Sequence, residues 1–185
     1  MPAIAAWRRS LVAVPALVIA ALTLSLSPAA TSTASAATTT TGSIEAAAIQ
    51  PLTYTRARIQ ARNEAVRHAL SVARAQKGDP YVYGAAGPNA FDCSGLTSFS
   101  FGRAGIYLPR SSDAQASYAR RILKRNMRKG DLMFFYSGSG VYHVGIFAGW
   151  FDGHRYILHA SRSGTPVKVD PVWTRSWFPG TMRLA

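Results

Sequence analysis

The spacing of apolar residues changes character at Gly130, and that change limits the fold more than any other feature of the chain. Before it, Ile59, Val66, Leu70 and Ala73 recur at helical spacing and predict a helix from Thr55 to about Lys77, stopped by Gly78-Asp79-Pro80. Arg56, Arg58, Arg62, Arg67, Arg74 and Lys77 fill its remaining surface. Asp92 stands before a second periodic run as an N-cap, so Cys93 falls in the first turn of a helix ending near Gly105. Ser111 and Ser112 start a third helix, which runs to roughly Ala119, and the basic stretch 120–129 reads as surface loop. After Gly130, strands are predicted at 131–136, 141–150, 155–160, 167–169 and 181–184, with a hairpin turn at Phe151-Asp152-Gly153. Helices followed by an antiparallel meander predict an α+β domain.

The first residues are not read as part of that domain. Arg8 and Arg9 precede an apolar run from Leu11 to about Leu26, and Ala34-Ser35-Ala36 supplies a cleavage site. Residues 1–36 therefore read as a secretory signal peptide, and no later stretch is apolar enough to predict a stable membrane span. Residues 37–54 read as a flexible lead and 55–185 as one domain. Removing Arg8 and Arg9 lowers the formal charge of +13 by two, to +11. For an exported protein that charge points to anionic wall polymer or an anionic membrane surface, with no nucleic-acid motif in view. Cys93 has no second cysteine to pair with, so stability must come from packing.

Three residues carry the candidate chemistry: Cys93, His143 and His159. The positive end of a helix favours a thiolate at Cys93, and Gly95 is read as keeping its approach open. A thiolate attacks a carbonyl, a histidine carries the proton, and a third polar group fixes that histidine's tautomer. The backbone N–H of Cys93 and the Tyr81 hydroxyl are candidate oxyanion donors. A zinc site would need close ligand spacing or an obvious fourth ligand, and the sequence offers neither. A simple hairpin centred between Asp152 and Gly153 places His159 opposite Ile146 and His143 opposite Arg162, about three residues out of register. Only a longer loop or a bulge would change that.

Several blocks, in order, resemble the NlpC/P60 family of bacterial cell-wall cysteine peptidases. They are Pro80-Tyr81-Val82-Tyr83-Gly84, Phe91-Asp92-Cys93-Ser94-Gly95-Leu96, Leu108-Pro109-Arg110-Ser111-Ser112 with Gln115, Gly130-Asp131-Leu132-Met133-Phe134-Phe135, His143-Val144-Gly145-Ile146 and Ile157-Leu158-His159-Ala160. The resemblance implies a papain-like α+β fold, with the nucleophile helix packed on a five- to six-stranded antiparallel sheet. It implies Cys93 as nucleophile, His143 as base, His159 as orienting residue and Tyr81 near the oxyanion. Asp92, Ser94, Tyr83, Ser111 and Ser112 become substrate-binding candidates, Tyr83 standing where the family often has tryptophan. The implied substrate is the bond between D-glutamate and a diamino acid in peptidoglycan stem peptides, without metal or organic cofactor. A wall amidase, an acyltransferase of the same superfamily and a non-catalytic wall-binding module are the alternatives.

Overall fold

The computed structural model describes residues 41–185, with side chains from residue 52. The signal peptide expected at 1–36 and the start of the expected lead lie outside the described residues. Helix α1 spans Thr41–Ala75, so residues 41–54, expected as flexible lead, are helical. Ala46, Ala47 and Ala48 lie in this stretch, and alanine has the highest helix propensity. Val66, Ala69, Leu70 and Ala73 form its buried stripe, while Arg56, Arg58, Arg67 and Arg74 are exposed. Among the described residues no helix is long and apolar enough to cross a membrane.

Helix α2 spans Cys93–Arg103, capped as expected by Asp92, whose carboxylate accepts from Gly95 N at 2.6 Å. Helix α3 spans Ser112–Tyr118, and its N-cap Ser111 accepts from Ala114 N. The two are joined by Gln115, which is fully buried. Thr97 Oγ1 donates to Gln115 Oε1 at 2.7 Å, and Gln115 Nε2 donates to the carbonyls of Ser94 and Pro109. A buried amide with its donors and acceptor all engaged fixes one arrangement of its neighbours.

Six strands follow: β1 (Arg120–Arg121), β2 (Leu132–Ser137), β3 (Gly140–Phe151), β4 (His154–His159), β5 (Lys168–Pro171) and β6 (Trp177–Thr181). They form one antiparallel sheet in the order β1-β6-β2-β3-β4-β5. This is the α+β architecture expected, with six strands. The closing strand lies earlier than the expected 181–184, because β6 pairs with β2 through Trp177–Gly180. The basic stretch expected wholly as loop contributes β1, paired with β6. The chain's end is fixed instead by side chains: Arg183 and Thr181 both donate to Asp131, and all three are buried. Alternate strand residues face the helices (Leu132, Phe134, Val144, Ile146, Leu158) and the opposite side (Met133, Phe135, Phe147, Ile157).

The β3–β4 hairpin has a two-residue turn at Asp152 and Gly153, both at positive φ, which matches the twist of the flanking strands. Pairing runs Phe151↔His154, Trp150↔Arg155 and Gly149↔Tyr156, then shifts to Phe147↔Ile157 and Ile146↔Leu158. Ala148 is the extra residue. Continuing the shifted register sets His159 across from Gly145 rather than Ile146. The simple hairpin is thus corrected by one residue, and because strand faces alternate, one residue moves His159 onto the face of His143.

Gly145 is required between them. A Cβ there would lie 2.5 Å from Ile157 Cδ1 and 2.9 Å from Leu158 O. Gly145→Val is expected to lower unfolding free energy by about 1–3 kcal/mol, the usual cost of overpacking. Urea denaturation monitored by circular dichroism checks this, and unchanged stability would contradict the packing.

Candidate active site

Cys93 opens α2 at the floor of a cleft of about 480 Å³ lined by Tyr81, Tyr83, Ser94, Arg110 and Tyr142 among others. The backbone of Val144, the residue after His143, lies against the thiol and favours its charged form. This contact forms where β3 runs past Ile146, its last residue paired with β4, and where α2 packs on β3. Tyr81 and Cys93 line this one cleft, so the two candidates are brought together. Ser111 and Ser112 also line the cleft, as the motif pattern led one to expect.

Asp92 lines the same cleft, yet its oxygens are taken up internally. They accept from Gly84 N, Gly95 N, Ser94 Oγ and both terminal nitrogens of Arg110. Burial alone would raise its pKa, but Arg110 and the backbone of Gly95 outweigh burial and hold it below the usual carboxylate range. A carboxylate has about four lone-pair positions, so Asp92 can act on a bound molecule chiefly through the Arg110 and Ser94 it positions. Arg110 was not singled out from sequence, although it stands within a recognised block. Gly95 also has a different purpose from the one expected, since a Cβ there would collide with the carbonyl of Ala85.

The second half of the site lies on the sheet face opposite the helices. His143 Nε2 and His159 Nδ1 are 2.8 Å apart, and His159 Nε2 is 3.0 Å from Asp170 Oδ2. The line crosses β3, β4 and β5, each step running diagonally between strands. Asp170 pairs across from Ile157, two residues from His159 on the same face. Trp173 stacks on Phe135 with centroids 4.5 Å apart and lies 5.8 and 5.5 Å from the two histidine rings. His154, by contrast, is exposed beside the turn and hydrogen bonds to the Asp152 carbonyl.

Asp170 sets the order of protons along this line. Burial alone would raise its pKa, but hydrogen bonds from His159 and Lys168 hold its carboxyl below the usual range. A carboxylate only accepts, so His159 carries its proton on Nε2 and offers Nδ1 as an acceptor. His143 then donates through Nε2, and its Nδ1 is the unprotonated nitrogen. Burial, with His159 adding to it, pushes the His143 pKa down to about 3. Burial also lowers that of His159, with Asp170 opposing.

The thiol departs from the sequence expectation. Burial, then the charge of Asp92, raises the Cys93 pKa against the opposing hydrogen bonds of Val144 and Ser94. Burial thus favours the thiol and the neutral imidazole over a preformed ion pair. Asp170 was missed because the fourth strand was expected to end at residue 169, and no motif surrounds it. Only the strand register identifies it.

The same arrangement of helices and sheet occurs in known proteins. The peptidoglycan hydrolase RipB of Mycobacterium tuberculosis superposes with a TM-score of 0.58 at 29% identity, over 67% of each chain. RipD of the same organism, a non-catalytic NlpC/p60 domain protein adapted to peptidoglycan binding, superposes with a TM-score of 0.53 at 26% identity, over 63% of this chain and 96% of RipD. A "probable endopeptidase" of Corynebacterium glutamicum is 44% identical over 98 residues, 53% of this chain and 44% of the relative. The chain spans less than half the length of the curated relatives it matches. The NlpC/P60 family model matches residues 78–184, which take in the cleft and all three strands of the histidine line, and the chain belongs to the NlpC/P60 family.

Proposed function

We propose that this chain is a secreted cysteine endopeptidase that hydrolyses peptidoglycan stem peptides at the bond between D-glutamate and a diamino acid. The observation that carries this reading is the hydrogen-bonded line His143–His159–Asp170, which begins one residue from the Val144 backbone that lies against the Cys93 thiol. The peptidoglycan hydrolase RipB and the endopeptidase name of the Corynebacterium relative support the substrate class. The basic surface suits retention at anionic wall polymer.

In this reading His143 Nδ1 takes the thiol proton as sulfur attacks the scissile carbonyl carbon. The oxyanion forms near the Cys93 N–H and the Tyr81 hydroxyl. Collapse breaks the C–N bond, His143 returns the proton to the leaving amine, and a thioester remains on Cys93. Water, deprotonated by His143, then attacks the thioester and releases the carboxylic acid and the free thiol. His159 and Asp170 hold the His143 ring and its tautomer without transferring the proton. Ser94, Ser111, Ser112 and Tyr83 face the acyl portion from the walls of the cleft.

The raised thiol pKa favours a second reading, a wall-binding module without turnover, which is what the name of RipD describes for that protein. Digestion of purified peptidoglycan, followed by mass analysis, separates the two. New fragments ending in D-glutamate are expected with the native protein and none with Cys93→Ala. Intact wall in both would contradict the endopeptidase.

The resting charge state makes a pH prediction. The neutral pair should persist from well below the ordinary histidine value of 6.5 to beyond neutrality. The acid limb of kcat/KM should therefore lie below about pH 6. Folded fraction must be measured in parallel. An unfolded His143 binds a proton near 6.5 and the folded one only near 3, so stability falls as pH drops through that window. An acid limb at or above 6.5 per folded molecule would contradict the neutral pair.

A further inference from the structure

The Cys93 cleft continues beyond the histidine line. Tyr142 borders both the cleft and a smaller hollow of about 170 Å³ that holds His143, Ser161, Arg162 and Trp173. Ser161, Arg162 and Trp173 in turn border a larger hollow of about 410 Å³ that adds His159, Thr165, Lys168, Pro171 and Asp170, whose carboxylate is engaged by His159 and Lys168. In sequence, these neighbouring hollows, taken as one groove, run from the thiol, past the imidazole, to the loop between β4 and β5.

Chemistry assigns a direction to this groove. If His143 delivers a proton to the leaving amine, that amine must sit on the His143 side of the thiol. The acyl half of a bound peptide then fills the Cys93 cleft, and the leaving half extends over Trp173 toward Arg162. The charges of the two halves differ. In the cleft, Arg110 is neutralised by a two-point contact with Asp92. In the groove, no carboxylate among the described residues pairs with the Arg162 guanidinium. Lys168 contacts Asp170 at 3.1 Å, and that carboxylate is also engaged by His159.

Arg162 stands on an anchored loop. Its carbonyl accepts from Thr165 Oγ1 at 2.7 Å and from Thr165 N, and its own N–H donates to Thr165 Oγ1. Tyr81 N donates to Thr165 O, and Gly78 N and Asp79 O bond to Val167. The segment that presents Tyr81 to the cleft therefore also fixes the loop that presents Arg162 to the groove.

Resting on the endopeptidase reading for its direction, we infer that the groove beyond His143 is the subsite for the leaving fragment. Arg162 binds a free carboxylate there. A guanidinium matches a carboxylate with two parallel hydrogen bonds, and Trp173 supplies an apolar wall for the chain between the amine and that carboxylate. The substrate class is thus narrowed to stem peptides whose leaving fragment keeps an unblocked carboxylate.

The test uses a synthetic tetrapeptide with a central D-glutamyl–diamino acid bond, prepared as the C-terminal acid and as the C-terminal amide. Binding of the uncut peptides is measured by calorimetry on the Cys93→Ala protein, with and without Arg162→Gln. Turnover is measured on the native protein and on Arg162→Gln. The acid should bind about tenfold or more tightly than the amide, the scale of one charge-assisted hydrogen bond. Arg162→Gln should bring the two within about twofold while leaving the amide unchanged, and in turnover the effect should fall on KM. Equal binding of acid and amide with Arg162 present, or a preference that survives Arg162→Gln, would overturn the subsite. Preferential binding of an acid that the native protein never cuts would leave the subsite standing and refute the peptidase reading. Equal cleavage and equal binding would do the reverse.

Discussion

The hydrogen bond between His143 and His159 exists because β3 carries one residue more than β4 between their turn and the site. With Ala148 paired in the ladder, the two rings would point to opposite faces of the sheet. With Ala148 bulged out, they share a face two residues apart, and the missing side chain of Gly145 lets β3 close on Ile157 and the Leu158 carbonyl of β4. A single inserted residue thus decides whether the chain has one core histidine and one stray histidine, or a connected pair. Asp170 extends the pair by the same diagonal step onto β5 and turns a contact between rings into an ordered sequence of donors and acceptors.

The thiol is placed by an independent set of constraints. Asp92 caps α2, holds Ser94 and fixes Arg110, while Gln115 secures the carbonyl of Ser94 from α3. Gly95 allows α2 to lie against the Ala85 carbonyl. Most of these interactions are buried, that of Arg110 only in part, and they fix where Cys93 stands against β3. They do not make it acidic, since the same burial that positions the thiol disfavours its charge. In the proposed reaction the thiol proton must then pass to an imidazole that is neutral and correctly oriented, and the line to Asp170 fixes that orientation and tautomer.

Much of this was legible in the residues. The period change at Gly130 separates helices from sheet, and Asp92 and Ser111 mark two helix starts that α2 and α3 reproduce. Cys93, Tyr81, Ser111 and Ser112 meet in one cleft as their motif blocks imply. What was hidden depends on register or on burial. A bulge at Ala148 leaves no mark in composition, because alanine fits a paired or an unpaired position equally. Asp170 lies eleven residues beyond His159, and only strand pairing brings them together. The direction of the thiol pKa is a contest between helix end and desolvation, and a sequence does not state how deeply a side chain is covered. Residues 41–54 lack an amphipathic stripe, so their helix rests on alanine propensity rather than on a pattern.

The central claim is that Asp170, through His159, fixes His143 with its proton on Nε2 and its Nδ1 bare. Nitrogen-15 NMR of the imidazole rings at neutral pH reads this directly, because protonated and unprotonated ring nitrogens resonate far apart. The account predicts neutral rings at both His143 and His159, each carrying its proton on Nε2. A His143 ring protonated on Nδ1, or carrying both protons as an imidazolium, would contradict it.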